Sequence, residues 1–129
     1  RSLLKLGSGV PWTGVPAGTT MGHVHLSVAS LAAAGRFYRD GLGLETTVSR
    51  YAGALFLSAG GYHHHLGANT WQSRGAPYAP PDRARLTRAT IVVPDDNALD
   101  AAARLDGAEK IDEGVALRDP AGNPLLVTR

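Results

Sequence analysis

One succession of patterns occurs twice in this chain and constrains its fold more than any other feature. Met21–Ala29 (MGHVHLSVA) alternates polar and apolar residues around valines, as a half-buried strand does. Ser30 is suited to cap a following helix, in which Leu31, Ala34, Phe37 and Tyr38 recur at helical spacing. Gly41-Leu42-Gly43 should stop that helix near Asp40. Glu45–Tyr51 and Ala54–Ala59 read as two strands, Gly60-Gly61 as a turn, and Tyr62–Trp71 as a fourth strand. Gln72–Arg85, broken by Gly75, Pro77, Pro80 and Pro81, reads as a surface connection. Then the succession restarts. Leu86–Val93 reads as a strand, and Pro94 with Asp95-Asp96 opens a helix carrying Leu99, Ala102, Ala103 and Leu105 that Gly107 closes. Short strands fit Glu109–Asp112, Val115–Arg118 and Pro124–Thr128, with Asp119-Pro120-Ala121-Gly122-Asn123 turning into the last.

Two βαβββ units in a row predict an α+β domain. Each unit alone exposes one apolar sheet face, so pairing the two buries a shared core and leaves a mixed-sheet cup between them. The expected layout is an arm or linker over residues 1–20 and a single domain over 21–129. Within it, module one spans 21–71, the connection 72–85 and module two 86–129. Aligning the module starts sets His23 over Arg88 and His25 over Thr90. A ferredoxin-like sandwich is the competing arrangement, because periodicity does not fix strand order.

Composition narrows the function classes. The 43% apolar content supports one real core. A net charge of +2, with Lys and Arg scattered among the acids, gives no basic stripe, so neither nucleic acid nor a membrane surface is an expected partner. No apolar stretch reaches the length of a membrane span. With no cysteine there is no disulfide, thiolate metal site or cysteine nucleophile, which fits a cytoplasmic protein. Residues 1–20 are rich in Gly, Ser, Thr and Pro, and Leu3-Leu4 is too short for a signal core. Trp12 is the expected anchor of this arm, and the first residue, Arg1, leads us to expect an upstream segment.

All five histidines lie in two clusters, His23/His25 and His63/His64/His65. Strand alternation puts His23 and His25 on one face, and His63 and His65 on one face with His64 opposite. If both faces look into the cup, up to four imidazoles converge as metal ligands or as a neutral-pH acid–base group. The plainer reading is of hydrogen-bonded strand histidines or an exposed strand end. No Gly-rich phosphate loop is present, since Gly7-Ser8-Gly9 lacks the Lys-Ser/Thr that must follow. Asp95, Asp96 and Asp100 sit at a helix start, where capping accounts for them.

Gly22-His23-Val24-His25-Leu26, Phe37-Tyr38-Arg39-Asp40-Gly41-Leu42-Gly43-Leu44 and Asp119-Pro120-Ala121-Gly122-Asn123 together resemble the glyoxalase/bleomycin-resistance/extradiol-dioxygenase superfamily, the vicinal-oxygen-chelate proteins. Gly60-Gly61-Tyr62-His63-His64-His65-Leu66-Gly67, ending in Asn69-Thr70-Trp71, resembles the second half of two-domain catechol 2,3-dioxygenase-like ring-cleaving proteins. The likeness runs over residues 10–129. It implies the glyoxalase/bleomycin resistance/dihydroxybiphenyl dioxygenase fold and a C-terminal domain of a longer chain.

The resemblance also implies a divalent metal, often Fe(II), held by two His and one Glu from the first strand of each module and the last strand. His23 falls on the first position, but Arg88 occupies the second and Leu126 the third. Neither ligates metal. A fourth-strand ligand would fall on His65, with His63 on its face, so an eroded or all-imidazole site of His23 and His65 is expected, favouring Zn, Ni or Cu. His63 and His25 are then the proton-transfer candidates, and Tyr62, Trp71 and Arg88 the substrate-binding candidates for a small aromatic or planar molecule. The alternatives are a metal-free binding or sequestering module of the same fold, or a half that only completes a fold with its chemistry elsewhere. A homodimer or a paired upstream domain is the expected assembly.

Overall fold

Ser30 and Asp95 start the two helices, and each does so as a side-chain acceptor. Ser30 Oγ accepts from the Ala33 N–H at 3.3 Å, and Asp95 Oδ1 from the Ala98 N–H at 2.9 Å. In this computed structural model, which describes Gly9 and residues 11–129, the element order is strand, helix and three strands, twice over. Module one contains β1 (Val24–Ser27), α1 (Leu31–Gly35), β2 (Glu45–Val48), β3 (Ala54–Ser58) and β4 (Leu66–Asn69). Module two contains β5 (Ala89–Val92), α2 (Asp96–Ala102), β6 (Glu109–Ile111), β7 (Gly114–Arg118) and β8 (Pro124–Thr128). The sheets run β1-β4-β3-β2 and β5-β8-β7-β6, each with one parallel pair, β1/β4 or β5/β8. This is the α+β class expected from the pattern.

Several elements differ from their sequence reading. α1 continues into a π-helical turn over Arg36–Gly41, in which the Leu42 N–H reaches back to the Phe37 carbonyl at 3.0 Å. Gly43 then takes φ 75°, a left-handed conformation that ends the helix. The fourth strand of module one is shorter than Tyr62–Trp71 and begins only at Leu66. Its antiparallel partner β3 stops at Ser58, and His65 is still bonded to Leu57 and Val24 through its backbone, so residues 62–64 have no ladder to hold them extended. Trp12 is 80% exposed and does not anchor the arm; the Leu3-Leu4 patch lies outside the described residues.

Strand register assigns the faces. Leu26, Leu66, Ala68 and Leu57 turn toward α1 and join Ala34 and Tyr38. Ala89, Leu125, Val127, Val115 and Leu117 do the same toward Ala102 in module two, and all belong to one shared core. Tyr38 is fully buried, and its hydroxyl donates to Asp119 Oδ2 at 2.9 Å across the two modules. Asp119 also accepts from the N–H groups of Ala121 and Asn123 at Oδ1 and from the Asn123 amide at Oδ2. Burial, with the Asp119 charge beside it, pushes the Tyr38 phenol far above its usual range, so it stays a donor. Leu105 closes the same seam by packing over Gly41, where a Cβ would come 2.9 Å from Leu105 Cδ2.

Candidate metal and ligand site

The face of sheet one turned away from α1 is where the imidazoles gather. His25, Phe56 and Gly67 are register partners on it. Gly67 is required there: a Cβ at that position would come 2.7 Å from His25 Nδ1. The His25 ring therefore lies flat over the β4 backbone, 5.8 Å from the Phe56 ring and 5.5 Å from Trp71. Tyr51 packs against both Phe56 and Trp71, at 5.8 and 6.2 Å. Trp71 is fixed by its indole N–H, which donates to the Ala52 carbonyl at 3.0 Å, yet it remains 56% exposed. The result is an aromatic wall open to a ligand.

His23 and His64 stand at one end of that wall. Their rings are 4.5 Å apart, and His64 also packs on Phe56 at 5.0 Å and on His63 at 4.5 Å. One nitrogen from each of His23, His63 and His64 lies within 4.8 Å of the others. Strand alternation had set His64 on the opposite face from His63, and the structure corrects that. Alternation fails because residues 62–64 follow the Gly60-Gly61 turn as irregular chain, with φ 63° and 73° at the glycines. Desolvation, then the neighbouring His63, His23 and His25, lower the His64 pKa, so it is neutral and able to ligate near neutral pH.

The donor set fits a metal. Tetrahedral zinc with bonds of about 2.0–2.1 Å would draw its nitrogens to about 3.4 Å of one another. Exposed or half-exposed imidazoles close the remaining gap by small rotamer changes. Three imidazole nitrogens suit Zn, Ni or Cu, and also Fe, but not Mg or Ca.

The other candidates fall as follows. His65 stands apart from the cluster: its Nδ1 accepts from the Ala59 N–H at 3.3 Å and lies 3.1 Å from Ser58 Oγ, and its Nε2 has no hydrogen-bond partner among the described residues. Tyr62 stacks beside His63 and His65 at 4.2 and 4.7 Å, outside the triad. Arg88 is exposed and bonded to Glu113 at 2.9 Å, so its charge is already matched within module two. Leu126, where the resemblance implies a glutamate, is a buried residue of β8. Phe56 and Tyr51 escaped the sequence reading. Their signal was the alternation of β3 and a tyrosine just before it, which only the register could turn into a shared wall.

A family profile described as the Glyoxalase/Bleomycin resistance protein/Dioxygenase superfamily matches residues 20–125. The chain is 43% identical over 121 residues to a catechol-2,3-dioxygenase of Bacillus subtilis (strain 168), covering 88% of this chain and 42% of that protein. It thus spans less than half the length of that relative. Among solved structures, the trypanothione-dependent glyoxalase I of Leishmania major superposes with a TM-score of 0.63 at 20% identity, covering 86% of each chain. A lactoylglutathione lyase from Agrobacterium tumefaciens superposes at 0.58 with 21% identity, covering 87% of this chain and 94% of that one. At such identities these structures bear on the fold alone.

Proposed function

Because the chain belongs to the glyoxalase/bleomycin resistance protein/dioxygenase superfamily, we propose that it is a ring-cleaving, catechol-dioxygenase-like module acting on a small aromatic diol. One observation supports this reading above others: three imidazole nitrogens converge at the end of an aromatic wall, in a chain 43% identical to a catechol-2,3-dioxygenase. The metal site is eroded relative to the family pattern, since Arg88 and Leu126 replace two expected ligands. His23, His63 and His64 take over as the holding set. When bound, a redox-active divalent metal would supply the electron transfer that lets dioxygen react with the diol ring.

The chain's own residues do the rest. Phe56, Trp71 and Tyr51 offer ring faces and edges against which a planar substrate packs. His25 lies on the same wall beside Trp71, where its imidazole can take a hydroxyl proton. His65, with Nδ1 accepting and Nε2 unpartnered among the described residues, is a second proton carrier at the edge of the site. Arg88 has no part in this arrangement.

The test is elemental analysis of untagged protein purified without chelator, followed by a catechol ring-cleavage assay. Near-stoichiometric metal that vanishes in His23→Ala, together with turnover, is the expected result. Metal-free protein that stays inactive after loading with Fe(II), Zn, Ni or Cu would overturn it. The second reading, a metal-free binding or sequestering module, is favoured by the Arg88–Glu113 ion pair and the apolar Leu126. Ligand-dependent thermal stabilisation without metal would support that reading.

A further inference from the structure

β1 hydrogen-bonds only to β4 and β5 only to β8, so each leaves one edge facing the seam between the modules. The Val24 and Val28 N–H groups point to the β4 side, and the Val93 N–H points to the Thr128 carbonyl of β8. Backbone groups alternate sides along a strand, so those of His23, His25, Thr90 and Val92 point into the seam. Among the described residues none of these four N–H groups has a backbone partner. A cavity of about 350 Å³ lies between the two edges, lined by residues 21–24 on one side and 89–92 on the other. Consecutive strand side chains point to opposite faces, so a cavity that touches four residues in a row runs along the edge itself. It is a slot between two rows of open donors and acceptors, about 13 Å long at roughly 3.3 Å per residue.

The segment that leads into this slot is suited to fill it. Residues 11–22 are all exposed, and the last two of them line the slot. The Thr19 N–H donates to the Pro16 carbonyl at 3.1 Å and Gly18 takes φ 83°, so the chain reverses there. Counted back from this turn, Val15 comes level with Thr20, Thr13 with Gly22 and Trp12 with His23. Only the second central residue of the turn has a positive φ, a geometry that splays the two arms. Trp12 and Val15 accordingly stand 80% and 64% exposed.

We propose that residues 12–15 fold back into the slot as an added strand that joins the β1 edge to the β5 edge. Alternation then fixes the bonds. Trp12 pairs with His23, while Thr13 and Val15 turn their N–H and C=O groups to β5 at Thr90 and Val92. Main-chain bonds to both edges hold such a strand. An open edge is a template for any extended chain, but this one is tethered at the mouth, so its effective concentration exceeds that of a free partner. Docked, it also brings Trp12 beside His23, where the imidazoles gather. Neither metal nor diol enters this inference, which stands apart from the proposed function.

Backbone amide exchange, followed by NMR on the full chain, tests this beside a Thr13→Pro/Val15→Pro variant that has no N–H to offer β5. In the unaltered protein the Thr90 and Val92 amides should exchange roughly tenfold or more slowly than in the variant. The Ala89 and Ile91 amides, which face β8, should exchange alike in both and so report that the variant keeps its fold. The protection at Thr90 and Val92 should also be the same at low and high protein concentration. Equal exchange of these two amides in the two proteins would overturn the inference. Protection that grows with concentration would overturn it as well, because the arm of a second copy would then be filling the slot.

Discussion

The two modules share a topology and differ in chemistry. Both run strand, helix and three strands, with the first strand parallel to the last. Yet module one holds all five histidines and the aromatic wall, while the equivalent positions in module two are Arg88 and Thr90. Module two instead contributes Asp119, whose carboxylate secures Tyr38 of module one, and part of the seam cavity. A repeated backbone fixes where side chains can stand, and the side chains decide which copy acts and which supports.

The largest effect should come from cutting the support. Asp119→Ala removes a buried acceptor of four hydrogen bonds and orphans the Tyr38 hydroxyl, so we expect a loss of about 3–5 kcal/mol in urea unfolding. Tyr38→Phe leaves the other three bonds and should cost about 1–2 kcal/mol. Equal losses in the two variants would mean that the turn itself needs no carboxylate. Gly67→Ala comes next: the new Cβ displaces His25, costing about 1–3 kcal/mol and changing Trp71 fluorescence while the His23 triad still takes up metal. Metal lost along with His25 would erase the separation of wall from triad.

Acid probes module one more gently. His64 has a lowered pKa, so the folded state resists its protonation while the unfolded chain takes up the proton near pH ~6.5. The contribution of this group to stability is therefore intact above that value and declines as pH falls below it. Metal should leave over the same range, because protonated imidazole cannot ligate. Metal content independent of pH between about 5 and 7 would remove His64 from the set. Arg88→Ala should have the smallest effect, under about 1 kcal/mol, because the pair with Glu113 is exposed. It should leave metal content unchanged, and a large loss would show that module two shares in the site.

What could be read from the sequence follows from what is local. Ser30, Asp95 and the Asp119 turn announce themselves because a short polar side chain bonds to backbone within four residues. The strand alternation of β1 was legible too, because a period of two is equally local. His64 was not, because its position depends on how the chain leaves Gly61, and period-two arithmetic has no hold on a segment without a ladder. The π-helical turn at Arg36–Gly41 was hidden too, since a helix-compatible sequence does not reveal a widened hydrogen-bond ring. A cup between the modules was expected from their pairing, but its lining was not, for that depends on how two strand edges approach and not on any one segment.

The Tyr38–Asp119 bond has a further consequence, for the order of events as the chain is made. Its partners are 81 residues apart. At roughly 5–20 residues per second of synthesis, the phenol waits on the order of 4–16 s for its acceptor. During that interval the helix packed against module one's histidine-bearing sheet is not yet locked in place, and closure so distant along the chain is intrinsically slow. The imidazole end of the molecule is therefore expected to mature last, and metal offered to the nascent protein would meet loose ligands before it meets a site.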